Sequence, residues 1–144
     1  MTPVSIADTA PWLMAPALQR LLALLSEGGE EARVAGGAIR NTLLGEAVGD
    51  VDIATTCLPD ETVARAERGG YRAVPTGYEH GTITVVADGA AYEVTTLRAD
   101  IETDGRRARV RFGRDWQADA ERRDFTINAL YADADGRIVD LVGG

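Results

Sequence analysis

Asp50-Val51-Asp52-Ile53-Ala54 is the stretch that decides how the rest of the chain is read. Its apolar residues alternate with two acids, the pattern of a strand with one charged face. A strand repeats every two residues, so Asp50 and Asp52 share a face, with Cα atoms roughly 6.6 Å apart. Two carboxylates converging from such positions can share a pair of Mg²⁺ ions about 3.5–4 Å apart. Hard divalent cations take oxygen ligands, and Mg²⁺ leaves room for waters and substrate phosphates. In isolation an Asp-x-Asp strand end is more often a solvated pair of acids. Its neighbours decide between the two.

Upstream, residues 32–35 read as a short strand, followed by Gly36-Gly37 and a helical stretch at 38–44 that Gly45 ends. A glycine pair between strand and helix permits close backbone approach to a phosphate, although Gly-Gly alone is usually a turn. Before it, Leu13, Ala17, Leu18, Leu21, Leu22 and Leu25 have helical spacing, and Gly28-Gly29 stops that helix. Downstream, Pro59 with Asp60 and Glu61 suits a helix first turn, closed by Gly69-Gly70. Residues 71–74, 82–86 and 91–97 are β-rich, the last two joined at Asp88-Gly89, a strong hairpin signal.

Glu93 lies among Ala91, Tyr92, Val94 and Thr95, where a charge is costly if buried and unpaired. It marks either an exposed strand face or a third metal carboxylate, and the sequence reading leaves its partner across the hairpin open. Residues 99–115 are charged, with a weak strand at 109–112, and 117–125 suit a helix. Arg122-Arg123-Asp124 leads to Asn128, which shares a helix face with Asp124. Such groups hold phosphate oxygens and ribose hydroxyls, or form a surface salt-bridge cluster. Residues 127–132 and 138–142 flank a second turn signal, Asp135-Gly136. The expected fold is α/β (α+β), one domain around a mixed sheet of about five strands flanked by helices.

Composition sets the bounds. With 144 residues and 45% hydrophobic content, the chain can build one core. No apolar run approaches the roughly 20 residues that span a bilayer, and no basic stretch precedes an apolar core at the N-terminus. The single cysteine, Cys57, excludes an internal disulfide and a thiolate cluster. A reducing, cytoplasmic setting is expected. The net charge of −8 runs against polyanion binding. All fifteen basic residues are arginine, however, and eight of them (98, 106, 107, 109, 111, 114, 122 and 123) fall in one 26-residue segment. Basic character is local, and composition alone reads that segment as a solvated loop.

Several ordered motifs together resemble the class II nucleotidyltransferases of the polymerase-beta superfamily, which include CCA-adding tRNA enzymes and bacterial poly(A) polymerases. They are Gly36-Gly37-Ala38-Ile39-Arg40, the Asp50–Asp52 strand continuing to Thr55, His80-Gly81-Thr82-Ile83-Thr84, Glu93-Val94-Thr95-Thr96-Leu97-Arg98, Asp104-Gly105-Arg106, and the run from Asp119 through Arg122-Arg123-Asp124-Phe125-Thr126-Ile127-Asn128 to Leu130. The resemblance covers about residues 33–144.

The resemblance implies a nucleotidyltransferase fold and two Mg²⁺ ions held by Asp50, Asp52 and Glu93, with Glu93 near the primer 3′-hydroxyl. It implies nucleotide binding by Gly36, Gly37, Arg40, Arg123, Asp124 and Asn128, with Arg123 and Asp124 reading the ribose. The implied substrates are CTP, ATP and a tRNA 3′ end, with pyrophosphate released. Residues 100–116 correspond to the family's flexible loop, which favours function over a merely solvated segment. Two departures stand out. Asn41 replaces a usual Asp, and no Glu-Asp-x-x-Arg base-selecting motif occurs. The expected organisation is an N-terminal helical segment, 1–29, packed on a head domain, 30–144. With the neck, body and tail expected to be absent, base selection is expected to be impaired. A poly(A) polymerase head is the nearest alternative, disfavoured by the short stretch between Leu97 and Arg122. A non-catalytic NTP-binding module is the alternative of another class. A small-molecule nucleotidyltransferase would lack the Arg-Arg-Asp segment.

Overall fold

The structure, a computed structural model, describes residues 13, 15–35, 39, 51–77, 81–87, 90–103, 107–112, 116, 119, 130–134 and 138–140. Helix α1, Pro16–Leu25, starts on a proline at a position whose N–H would have no helical partner. Its 3.6-residue repeat buries Leu18, Leu21, Leu22 and Leu25 on one side. A 3₁₀ turn, Glu27–Gly29, follows. Gly28 and Gly29 have φ of 65° and 85°, backbone that a side chain resists, so the glycine pair does end the helix.

Strands β1 (Ala32–Ala35) and β2 (Val51–Thr55) come next, then α2 (Pro59–Arg68). After it run β3 (Arg72–Gly77), β4 (Thr82–Ala87), β5 (Ala90–Thr96), β6 (Arg98–Thr103), β7 (Arg107–Phe112), β8 (Leu130–Ala132) and β9 (Ile138–Asp140). Seven of these form one sheet in the order β3-β4-β5-β2-β1-β8-β9. The β2–β5 pairing is parallel and the others are antiparallel, so the sheet is mixed as expected. The sheet is wider than the expected five strands because the short hairpin β8–β9 joins its edge through β1. Three-residue strands carry too little periodicity to announce which sheet they will join.

The arginine-rich segment is more ordered than its charge suggested. Strands β6 and β7 form a separate two-stranded ribbon, paired from Arg98↔Phe112 to Thr103↔Arg107. Only residues 104–106 lie between the last pair, a three-residue connection containing Gly105.

One face of the sheet is covered by the helices. Leu18, Leu21, Leu22 and Leu25 of α1 pack with Val34, Ile53, Ile83, Val85 and Val94, and Ala66 of α2 joins the same cluster. The alternate strand residues point to the other face, where Ala35, Ala54, Leu97 and Tyr131 form a smaller cluster against Trp116. Arg65 of α2 is buried at 8% exposure yet fully engaged. It donates to the carbonyls of Leu24 and Glu27 at 2.8 Å each, and to Glu61 at 2.8 Å. The Glu61 bond raises its pKa, keeping the guanidinium charged. A Cβ on Gly69, after α2, would meet a methyl of Leu24, which would have to move aside. No helix among the described residues is long and apolar enough to cross a membrane.

Candidate active site

The register sets one row of residues across six strands. Tyr131 pairs with Ala35, Ala35 with Asp52, Asp52 with Glu93, Glu93 with Thr84, and Thr84 with Val74. Directly paired residues point to the same side, so the row lies on the face opposite the helices. Asp52 and Glu93 are both exposed and stand on adjacent parallel strands. Neighbouring strands are about 4.8 Å apart. Like charges at directly paired positions disfavour each other. A sheet that sets two acids side by side is suited to a cation between them. Ala35, on the far side of Asp52, is buried in the small cluster with Ala54, Leu97 and Tyr131.

The strand ends around this row are locked. Leu97 N–H donates to the Thr55 carbonyl at 2.8 Å, tying the end of β5 to the end of β2. Buried Thr96 donates its hydroxyl to the Cys57 carbonyl at 2.7 Å, and buried Thr55 donates to the Glu31 carbonyl at 2.8 Å. The Asp52–Glu93 register is therefore fixed by hydrogen bonds three residues away. Cys57 is buried, and desolvation pushes its thiol up, out of the range of a reactive thiolate.

Beside the acids the same face becomes aromatic. The Arg33 guanidinium lies 4.4 Å from the Trp116 ring centroid and bonds Asp133 at 2.9 Å. Trp116 meets Tyr131 edge-on at 5.0 Å, and its indole N–H donates to Glu31 at 3.2 Å. Leu97 precedes β6 and Trp116 follows β7, so the two ends of the ribbon's chain segment enter one cluster on the site face. Tyr131 donates its hydroxyl to the carboxylate of Asp119 at 2.6 Å, and Asp119 is 3% exposed. This bond ties the first residue of the segment that leads to Arg123 and Asp124 onto the sheet beside Ala35. Tyr131→Phe is expected to cost about 2 kcal/mol, the scale for a hydrogen bond to a charged group, and urea denaturation measures it.

Of the residues singled out from the sequence, Asp52 and Glu93 are brought together. Asp50, Gly36, Gly37, Arg40, Arg123, Asp124 and Asn128 lie outside the described residues. Among the described residues no third carboxylate, histidine or cysteine joins Asp52 and Glu93. Thr84, which the sequence marks only as part of the His80–Thr84 motif, stands opposite Glu93. A two-residue Asp88-Gly89 connection pairs Ala87 with Ala90, and stepping back along both strands puts Thr84 opposite Glu93.

Residues 32–144 match the family described as the poly A polymerase head domain. The chain is 48% identical over 115 residues to the mitochondrial CCA tRNA nucleotidyltransferase 1 of Danio rerio, covering 79% of this chain and 27% of the relative. It superposes with a TM-score of 0.75 on the Bacillus stearothermophilus CCA-adding enzyme in complex with CTP, at 40% identity over 91% of this chain and 31% of that one. A tRNA nucleotidyltransferase complexed with a primer tRNA and an incoming ATP analog gives a TM-score of 0.66 at 29% identity, covering 86% of this chain and 35% of the other. The chain thus spans about a third of the length of these relatives. Matched over residues 32–144, the chain belongs to the poly A polymerase head domain family.

Proposed function

We propose that this chain is the catalytic head, residues 30–144 with 1–29 packed on it, of a tRNA 3′-terminal nucleotidyltransferase. The single observation that carries the reading is the Asp52↔Glu93 pair, two exposed acids on adjacent parallel strands. In the reaction the 3′-hydroxyl oxygen of the RNA attacks the α-phosphorus of CTP or ATP. A phosphorus–oxygen bond forms, the bond to the bridging oxygen breaks, the hydroxyl proton is lost, and pyrophosphate leaves. Asp52, Glu93 and, by the sequence motif, Asp50 are suited to holding two Mg²⁺ ions, since all are hard oxygen donors. Such ions neutralise phosphate charge and make the hydroxyl a better nucleophile. Glu93 lies on the side facing the acceptor RNA, and Gly36, Gly37, Arg40, Arg123, Asp124 and Asn128 hold the nucleotide. A reducing, aqueous compartment such as the cytoplasm suits a chain whose one cysteine is a buried free thiol.

Labelled ATP or CTP, Mg²⁺ and a tRNA ending in C-C test the reading. The expected result is metal-dependent extension of the tRNA, abolished by chelation, with weak discrimination between the two nucleotides. A poly(A) polymerase would instead extend unstructured RNA repeatedly with ATP. Nucleotide binding without any extension would leave only a binding module. The relatives named as CCA-adding enzymes favour the tRNA substrate.

A further inference from the structure

Past Glu93, towards the β3 edge, the open face of the sheet carries hydroxyls. Thr84 stands opposite Glu93, Thr95 lies two residues along β5 on the same face, and Thr82 pairs with Thr95. The Thr82 and Thr95 hydroxyls are 3.0 Å apart. Thr84 is bonded in turn to Thr76 at 2.7 Å, where a register shift between Val74 and Gly77 lets β3 reach over. The carboxylate row is thus bordered on one side by four threonines in two hydrogen-bonded pairs. On the other side lie Ala35, Tyr131, Leu97 and Trp116.

We propose that the threonine patch seats the terminal ribose of the acceptor RNA, with the Thr84 hydroxyl meeting the ribose 2′-hydroxyl. The proposal rests on the nucleotidyltransferase reading above and adds to it the residues that hold the acceptor. A hydroxyl both donates and accepts, and so does each ribose hydroxyl. The Thr76–Thr84 pair spends one proton on its own bond and retains a second proton and lone pairs for a ligand. A phosphate at this patch would need cationic donors. None of the four positions carries one, and Asp52 and Glu93 alongside would repel it. A base ring is better matched by the apolar and aromatic side of the row than by hydroxyls. Geometry agrees. A ribose whose 3′-hydroxyl meets Glu93 has its 2′-hydroxyl on the adjoining carbon, and Thr84 is one strand spacing, about 4.8 Å, away. Contact with the 2′-hydroxyl is also what separates an RNA acceptor from DNA.

The test follows threonine methyl resonances of the chain, in Mg²⁺, during titration with a short single-stranded oligoribonucleotide ending in C-C. A matched oligonucleotide has a 2′-deoxy terminal sugar. The Thr84 and Thr95 methyls are expected to shift with the ribose form, and the deoxy form is expected to bind about tenfold more weakly, the scale of one lost hydrogen bond. Thr84→Val should weaken the ribose form by a similar factor and leave the deoxy form unchanged, while Thr84→Ser restores the preference. Equal affinity of the two oligonucleotides for the unmodified chain overturns the proposal without recourse to any variant. Shifts near Asp52 and Glu93 with none at Thr84 and Thr95 overturn it while sparing the catalytic reading. Shifts at neither place overturn both.

Discussion

Asp52→Asn is expected to lower nucleotide incorporation by about 10³-fold or more, because the carboxylate acts only as part of a metal-holding set and its loss disables the unit. The same change should leave the fold intact, since the side chain is exposed and its neighbours are fixed by the threonine bonds at the strand ends. Glu93→Gln should cause a large loss of its own. The double variant should be little worse than Asp52→Asn, because two members of one site are not additive. Thermal denaturation gives a second, independent readout. In chelator the variant should still unfold in one cooperative transition. In Mg²⁺, the unmodified chain should gain stability that the variant lacks, because a ligand bound only to the folded state raises Tm. A well-folded Asp52→Asn variant that retains turnover would remove the basis for the site.

Arg65→Met is expected to destabilise the chain by about 3 kcal/mol, lowering Tm by about 10 °C. Arg65 reaches from α2 to the carbonyls of Leu24, in the last turn of α1, and of Glu27 in the turn beyond it. The last carbonyls of a helix have no partner within the helix, and a cation at that end also meets the negative end of the helix dipole. A methionine preserves much of the volume but takes the guanidinium donor from both carbonyls, leaving them only the Ser26 and Glu30 backbone N–H groups. Glu61→Gln provides the contrast. Its side chain is half exposed, so its ion pair with Arg65 should contribute under about 1 kcal/mol. Similar losses for the two variants in urea denaturation would show that the ion pair matters more than the carbonyls.

The sequence by itself determined α1, α2 and most strands of the main sheet, while the helices it suggests at 38–44 and 117–125 lie outside the described residues. Leucine spacing in α1, the proline and acids opening α2, the glycine stops and the Asp88-Gly89 turn are all local signals, because each is a backbone preference expressed within a few residues. That Thr84 faces Glu93 follows from the Ala87↔Ala90 pairing, which only the structure fixes. The β6–β7 ribbon was less legible, because its arginines mask the weak alternation of Ala99, Ile101, Ala108 and Val110. Tertiary structure alone decided that Asp52 and Glu93 are neighbours. They are 41 residues apart, and parallel pairing of β2 with β5 runs through α2 and two intervening strands, a register that no local turn specifies. It also decided that β8 and β9 extend the sheet and that Trp116 stacks on Arg33. Those contacts depend on which surfaces remain uncovered once the leucines of α1 are buried, and that is a property of the packed chain rather than of any segment.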